Sequence, residues 1–223
     1  MALALFDLDN TLLAGDSDYL WGVFLGEKGI VDPDYYHKEN ERFYEEYKQG
    51  RLDIMEFLDF SLRPLAENDP EQLRAWREEF LREKIEPLIT EDAQLLVDMH
   101  RKRGDTLAVI TATNAFITAP IVRRFGILNL IATEPELVEG RFTGRPEGIP
   151  CFREGKVKRL AQWLEQHDES LDDAWFYSDS HNDLPLMERV SHPMAVDPDP
   201  MLETIAAEKG WPVLYLHKDA PPA

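Results

Sequence analysis

Two aspartates, Asp7 and Asp9, stand two apart where an apolar run, residues 2–6 (ALALF), gives way to the polar sequence DLDNT. If the chain curls as it leaves a strand, both carboxylates can serve one site, one attacking an electrophile while the other handles protons. An acid pair alone is not enough, because cations and hydrogen-bond donors must neutralise the charge that develops. Candidates lie beyond other apolar runs: Thr111 with Thr113 and Asn114, Lys156, and residues 179–183 (DSHND) with Asp179, Asn182 and Asp183. Singly, each has an ordinary role. Acidic pairs are common at strand ends, Thr111 could cap a helix, Lys156 could be a solvated lysine and DSHND a turn. Their order, on successive elements, makes them one constellation.

The elements that must position them follow from hydrophobic periodicity. Residues 2–6 read as a strand buried on both faces, as do residues 107–110 (LAVI) before TATN and residues 174–177 (AWFY) before SDSHND. Helical stretches separate them, around residues 92–103, 114–125 and 156–167. This alternation predicts an α/β fold with a Rossmann-like parallel sheet, whose strand carboxyl ends form the ligand crevice. All three polar clusters fall there. Pro120 sits badly in a helix begun at Asn114 and is tolerable in the first turn of one capped by Thr118, so both starts stand open.

Residues 15–86 differ, with apolar and aromatic residues at helical spacing (Tyr36, Phe43, Tyr47, Phe57, Phe60) and breaks near Asp32-Pro33, Gly50 and Asp69-Pro70. They read as an inserted helical cap over a core of residues 1–14 and 87–223. Residues 140–148 (GRFTGRPEG) suggest a short hairpin at the same rim. From His192 the chain reads as AVDPDP, a short helix to Lys209, a final strand in WPVLYL, and a frayed tail at residues 218–223.

With 43 acidic against 24 basic residues among 223, the net charge of −19 opposes binding to nucleic acid or anionic membranes. A single cysteine, Cys151, excludes an internal disulfide and suits a reducing compartment. The opening reads as a strand rather than a secretory signal, and no apolar stretch approaches the roughly 18 residues of a membrane span. A cytoplasmic location is expected. Oligomeric state has no signature in the sequence.

Taken together, these residues resemble the haloacid dehalogenase superfamily. Its first motif, Asp-x-Asp-x-Thr, appears as Asp7-Leu8-Asp9-Asn10-Thr11, its second as AVIT ending at Thr111, its lysine as Lys156 with Lys158 close by, and its acidic motif as Asp179 and Asp183. A helical insertion after the first motif is similar to the subfamily containing phosphoserine phosphatase. The resemblance implies a phosphatase: Asp7 attacks phosphorus to give an aspartyl-phosphate, and Asp9 protonates the leaving alkoxide and then activates water. It implies Mg2+ held by Asp7, the Asp9 carbonyl and Asp179 with Asp183 behind, and phosphoryl oxygens gripped by Thr111 and Lys156 with Thr113, Asn114 and Asn182 near. Dehalogenases of this type lack an acid at the place of Asp9, so dehalogenation is not expected.

Phosphoserine phosphatases meet the substrate ammonium with a cap acid, a place Asp16 can take. They grip its carboxylate with a cap arginine, and that position falls near Ser61 here, with Arg63 the nearest base. A small phosphorylated metabolite with an amine but no carboxylate fits better, and the aromatic, acidic cap (Trp21, Tyr35, Tyr36, Phe43, Tyr44, Tyr47, Glu45, Glu46) could stack a ring. The balance tips to histidinol phosphate over phosphoserine, with a broad phosphatase or a phosphotransferase as alternatives, although an aromatic stripe in a short-helix cap is more often its own small core. His181 reads as supporting rather than catalytic. The other histidines lack metal-ligand spacing, and Cys151 reads as packing.

Overall fold

A computed structural model describes residues 2–217; the tail at residues 218–223 lies outside them. Among the described residues, seven strands form one sheet: β1 (Leu3–Phe6), β2 (Thr106–Asn114), β3 (Asn129–Val138), β4 (Arg141–Glu147), β5 (Trp175–Ser178), β6 (His192–Val196) and β7 (Val213–Leu214). Their order is β4-β3-β2-β1-β5-β6-β7. All neighbours are parallel except the edge pair β3 and β4, which is the expected α/β sheet with an antiparallel hairpin at one edge.

β1 is central and wholly buried. Its alternate side chains feed two cores on opposite faces of the sheet. Leu3 and Leu5 pack with Ala108, Ile110 and Phe176, while Ala4 and Phe6 pack with Val109 and Tyr177. Burying each large side chain contributes about 1.5–3 kcal/mol, which fixes the strand that ends at Asp7.

Between β1 and β2 the chain is helical: α1 (Ser17–Glu27), α2 (Pro33–Lys48), α3 (Ile54–Ser61), α4 (Arg63–Glu67) and α5 (Pro70–Phe80), the last continuing through a π turn and a 3-10 turn to Leu88. Asp32 and Asp69 cap α2 and α5, each with proline just inside the helix, so the breaks read at those dipeptides are helix starts. The remaining helices are α6 (Glu91–Arg103), α7 (Ala115–Arg124), α8 (Glu154–His167), α9 (Leu184–Met187) and α10 (Pro200–Lys209). Among the described residues no helix is long and apolar enough to cross a membrane.

The insertion is built onto the sheet's own core. Trp21, Phe24 and Phe80 belong to the same cluster as Phe6, Ile117 and Phe125. Tyr36, Phe43 and Phe60 make a separate small core within the insertion. Its two ends are tied where it leaves the sheet, by a bridge between Leu13 and Ile89 and by the Ala14 N–H donating to the Leu88 carbonyl at 3.0 Å.

Two strands escaped the sequence reading. β3 is broken up by Glu134, Pro135 and Glu136, and its pairing with β4 shifts register there; β6 is five residues long and contains Pro193. The hairpin expected over residues 140–148 is instead β3 and β4 joined through Glu139 and Gly140, both at positive φ.

Pro120 lies inside α7, which starts at Ala115 with Asn114 as its cap. A proline there cannot donate to the carbonyl four residues back, that of Phe116. Arg77 of α5 fills the gap: its Nη1 donates to the Phe116 carbonyl at 2.8 Å, and its guanidinium lies 4.6 Å from the centre of the Phe116 ring. Arg77→Ala is expected to destabilise the protein by about 1–3 kcal/mol, and Pro120→Ala, which restores the backbone donor, to recover part of that loss. Urea unfolding of the two single variants and the double variant checks this; strict additivity would exclude the coupling.

Candidate active site

Asp7 follows the last residue of β1, and its N–H donates to the Tyr177 carbonyl of β5 at 2.9 Å. The chain then doubles back. The N–H groups of Thr11, Leu12 and Leu13 all reach the Leu8 carbonyl, and Asn10 adopts φ +57, a region asparagine tolerates. Leu8 is buried in the core. The curl leaves Asp7 and Asp9 lining one cavity, together with Thr111, Thr113, Lys156 and Asp183.

Lys156 organises the floor. Its ammonium donates to Asp7 Oδ1 and Asp183 Oδ2, both at 2.7 Å, and Ser178 donates to the same Asp183 oxygen at 2.7 Å. Lys156 is placed by the start of α8, where a side chain on the preceding Gly155 would collide with the Pro150 carbonyl. Lys158 is exposed and does not line the cavity. Burial alone would lower the Lys156 pKa, yet Asp183 and Asp7 hold it above the ordinary lysine value.

Thr11 ties the acids together. Its hydroxyl accepts from the Asp179 N–H at 3.0 Å and lies 3.2 Å from Asp179 Oδ1 and 3.5 Å from Asp7 Oδ2. Its carbonyl accepts from His217 Nε2 at 2.9 Å. Asp9 is held at both oxygens, by the Ser17 N–H at 2.7 Å and the Thr113 hydroxyl at 2.9 Å. Burial lifts Asp7 to about 7, opposed by Lys156, and lifts Asp9 to about 6, with the nearby Asp16 charge adding to it. Asp179 is pushed well above the carboxylate range by burial and by Asp7 and Asp183.

Four carboxylates against one ammonium leave the floor short of positive charge. Among the described residues no three or more His, Cys, Asp or Glu side chains are grouped to hold an ion. A hard cation that keeps several waters needs only one or two carboxylates. Asp7 Oδ2 meets only the distant Thr11 hydroxyl, and Thr11 has one proton for Asp7 and Asp179 together. The two carboxylates that meet at Thr11, those of Asp7 and Asp179, therefore fit such a cation.

Above the floor the cavity is lined by Tyr19, Phe43, Tyr44, Tyr47, Ile54 and Phe57 of the insertion, and on one side by Asp16 and Asp18. Asp16 caps α1 through Oδ1, which accepts from the Asp18 and Tyr19 N–H groups at 2.9 Å. Burial raises the pKa of both acids, that of Asp18 well above its ordinary value. Lys156 is the only cation among the lining residues.

Several expected contacts differ. Asn114 caps α7, accepting from the Ile117 N–H at 3.3 Å, and is not among the lining residues. Asn182 is likewise engaged elsewhere: its Nδ2 donates to the Tyr47 carbonyl at 3.1 Å, and its Oδ1 accepts from Arg153. Arg63 pairs with Asp59 at 3.4 Å and does not line the cavity. Trp21 is buried against Phe24 and Phe80, and Tyr36 packs on Phe60, while Tyr35 is exposed. Glu46 pairs with Arg42 and Glu45 with Lys48, outside the lining. His181 Nδ1 bonds Asp199 at 2.7 Å, a supporting position. Cys151 is buried and its thiol is pushed up to about 12 by that burial. Tyr19 and Asp18 went unremarked in the sequence, although Asp18 lies two residues from Asp16, the spacing that flags Asp7 and Asp9.

The sequence matches the haloacid dehalogenase-like hydrolases over residues 4–188. A histidinol-phosphatase of Neisseria meningitidis is 48% identical over 216 residues, covering 95% of this chain and 97% of the relative. A phosphoserine phosphatase of Mycobacterium tuberculosis is 30% identical over 220 residues, covering 95% and 70%. Among solved structures, a Bordetella pertussis protein of unknown function superimposes with a TM-score of 0.91 at 48% identity, covering 96% and 98%. A substrate-bound phosphoserine phosphatase, at 20% identity and TM-score 0.71 over 96% and 92%, shares the fold. Matched over most of its length, and nearly half identical to a relative spanned almost end to end, the chain belongs to the haloacid dehalogenase-like hydrolase family, as a phosphatase.

Proposed function

We propose that the chain hydrolyses histidinol phosphate through an aspartyl-phosphate on Asp7, with magnesium. The observation that carries the substrate is the lining: a single cation, Lys156, together with Asp16, Asp18 and an aromatic roof. An ammonium or imidazolium finds counter-ions in Asp16 and Asp18, and an imidazole ring finds Tyr44, Tyr47 and Phe57. The carboxylate of phosphoserine has no cationic partner in this lining besides Lys156, and Lys48, which lines the adjoining cavity with Asp16, Tyr19 and Tyr44, is paired with Glu45. The 48% identity to a histidinol-phosphatase supports the same reading.

In the first step an Asp7 oxygen attacks phosphorus, the ester P–O bond breaks, and Asp9 delivers its proton to the departing alkoxide. In the second, Asp9 takes a proton from water, the resulting hydroxide attacks the same phosphorus, and the bond to Asp7 breaks to release inorganic phosphate. Ser17 N–H and the Thr113 hydroxyl keep Asp9 aimed throughout, and Lys156 and Thr111 hold phosphoryl oxygens. Magnesium, held by the Asp7 and Asp179 carboxylates and the Asp9 carbonyl with Asp183 behind, supplies charge neutralisation when bound.

Phosphate release from histidinol phosphate is expected to exceed that from phosphoserine by more than about 100-fold in kcat/KM, or about 2.7 kcal/mol, and to vanish with a chelator. Parity between the two substrates would overturn the assignment of the roof and acids. Asp7→Asn is expected to abolish turnover and the aspartyl-phosphate, and Asp9→Asn to slow proton-dependent steps by about 10²–10⁴-fold; an active Asp7→Asn enzyme would remove Asp7 as nucleophile.

Linkage gives a further expectation. Asp7 and Asp9 titrate near 7 and 6 in the folded protein, above their ordinary 3.8, so the stability they contribute is complete at low pH and is lost as pH rises through those values. The melting temperature of the chelated protein should fall between about pH 5 and pH 8, and magnesium should raise it more at the upper pH. Equal increments at both would exclude magnesium binding at these carboxylates.

A further inference from the structure

The last turn of α2 is fastened to the sheet side of the cavity by two residues that the chemistry above does not use. Arg153 donates through Nε and Nη2 to Asn182 Oδ1, at 3.0 and 2.9 Å, and its Nη2 also reaches the Gly50 carbonyl. Asn182 Nδ2 in turn donates to the Tyr47 carbonyl at 3.1 Å and the Ser180 hydroxyl at 3.3 Å. A cation at the carbonyl end of a helix is also favoured by the helix dipole.

Two features of the backbone mark the arrangement as special. Arg153 stands at φ +49, ψ −120, a region that side-chain-bearing residues rarely enter and that persists only when the surroundings enforce it. Gly50 has φ +64, and a side chain there would come within 3.0 Å of Arg153 Nη2 and 3.1 Å of His181 Nε2. His181 Nε2 is buried without a hydrogen-bond partner, so the end of α2 is seated closely against the segment that carries Asp179 and Asp183.

We propose that Arg153 and Asn182 are positioning residues that clasp the end of α2, hold the aromatic roof at a fixed height above the phosphate end, and so determine selectivity for phosphomonoesters bearing a ring. α2 carries Phe43, Tyr44 and Tyr47 of the roof, and the Tyr47 ring faces Phe152, the neighbour of Arg153, at 6.1 Å. Releasing the clasp frees the roof, whereas the side-chain contacts of Asp7, Asp9 and Lys156 are made by other residues, and the Arg153 carbonyl that accepts from the Lys156 N–H at 3.0 Å is backbone that every variant keeps. The inference needs only that the cavity hydrolyses a phosphomonoester; failure to turn over histidinol phosphate leaves it intact.

The test compares p-nitrophenyl phosphate, whose ring reaches the roof, with ethyl phosphate, which has none, in the wild type, Arg153→Gly and Arg153→Lys. Glycine removes the clasp at a backbone conformation it favours, so this variant is chosen to fold. Arg153→Gly is expected to lower kcat/KM for p-nitrophenyl phosphate tenfold or more, chiefly through KM, and to change ethyl phosphate by less than twofold. Arg153→Lys, which keeps the charge but loses the fork, should fall between. Backbone amides near residues 44–50 should exchange faster in Arg153→Gly without substrate. Equal losses on both substrates, or none on either, would overturn the proposal, and if Arg153→Gly does not fold, Arg153→Lys carries the same comparison.

Discussion

Carboxylates of like charge, gathered out of water, repel one another and favour protonation over the ionised state that nucleophilic attack requires. Here Asp7 and Asp183 share a single ammonium, that of Lys156, at equal distances of 2.7 Å. Much of the fold is arranged around that contact. Asp7 lies 149 residues before Lys156, and Lys156 lies 27 before Asp183; they meet because β1 pairs with β5 in the middle of the sheet and α8 brings Lys156 to the ends of those strands. The same contact leaves the floor short of positive charge.

Selectivity is constructed differently. The floor is rigid strand-end chemistry, whereas the roof is helical and shares its packing with the sheet only in part: α1 and α5 lie in the main core, and α2 has a small core of its own around Tyr36, Phe43 and Phe60. α2, which carries Phe43, Tyr44 and Tyr47 of the cavity lining, thus packs partly apart from the sheet's own core.

The floor was legible in the sequence because its residues follow apolar runs buried on both faces, and such runs are unmistakable in β1, β2 and β5. β3 was not, since Glu134, Pro135 and Glu136 interrupt the pattern where the strand leaves the parallel sheet to pair with β4. Lys156 and Lys158 are equivalent in a sequence and separate only once α8 is formed, one buried and one exposed. The aromatic residues of the insertion divided in a way that spacing could not foretell: Tyr36 and Trp21 went to cores, and Tyr44 and Tyr47 to the cavity. Asn182 looked like a substrate ligand because it lies between two functional aspartates, yet its amide is engaged by Tyr47 and Arg153, residues 135 and 29 positions away. Helix α7 shows the converse, a local defect at Pro120 tolerated because Arg77 arrives from a distant helix.

The His217 side chain reaches back across 206 residues to the Thr11 carbonyl, and Thr11 in turn holds Asp179 beside Asp7. The loop that carries Asp7 is thus steadied from a part of the chain that belongs to no strand of the sheet. β1 can pair with β2 as soon as residues 3–6 meet residues 106–109, but the loop beyond Asp7 is complete only when β5 and His217 are also in place. Changing His217 alone would therefore loosen the support behind Asp7 without touching any residue that lines the cavity.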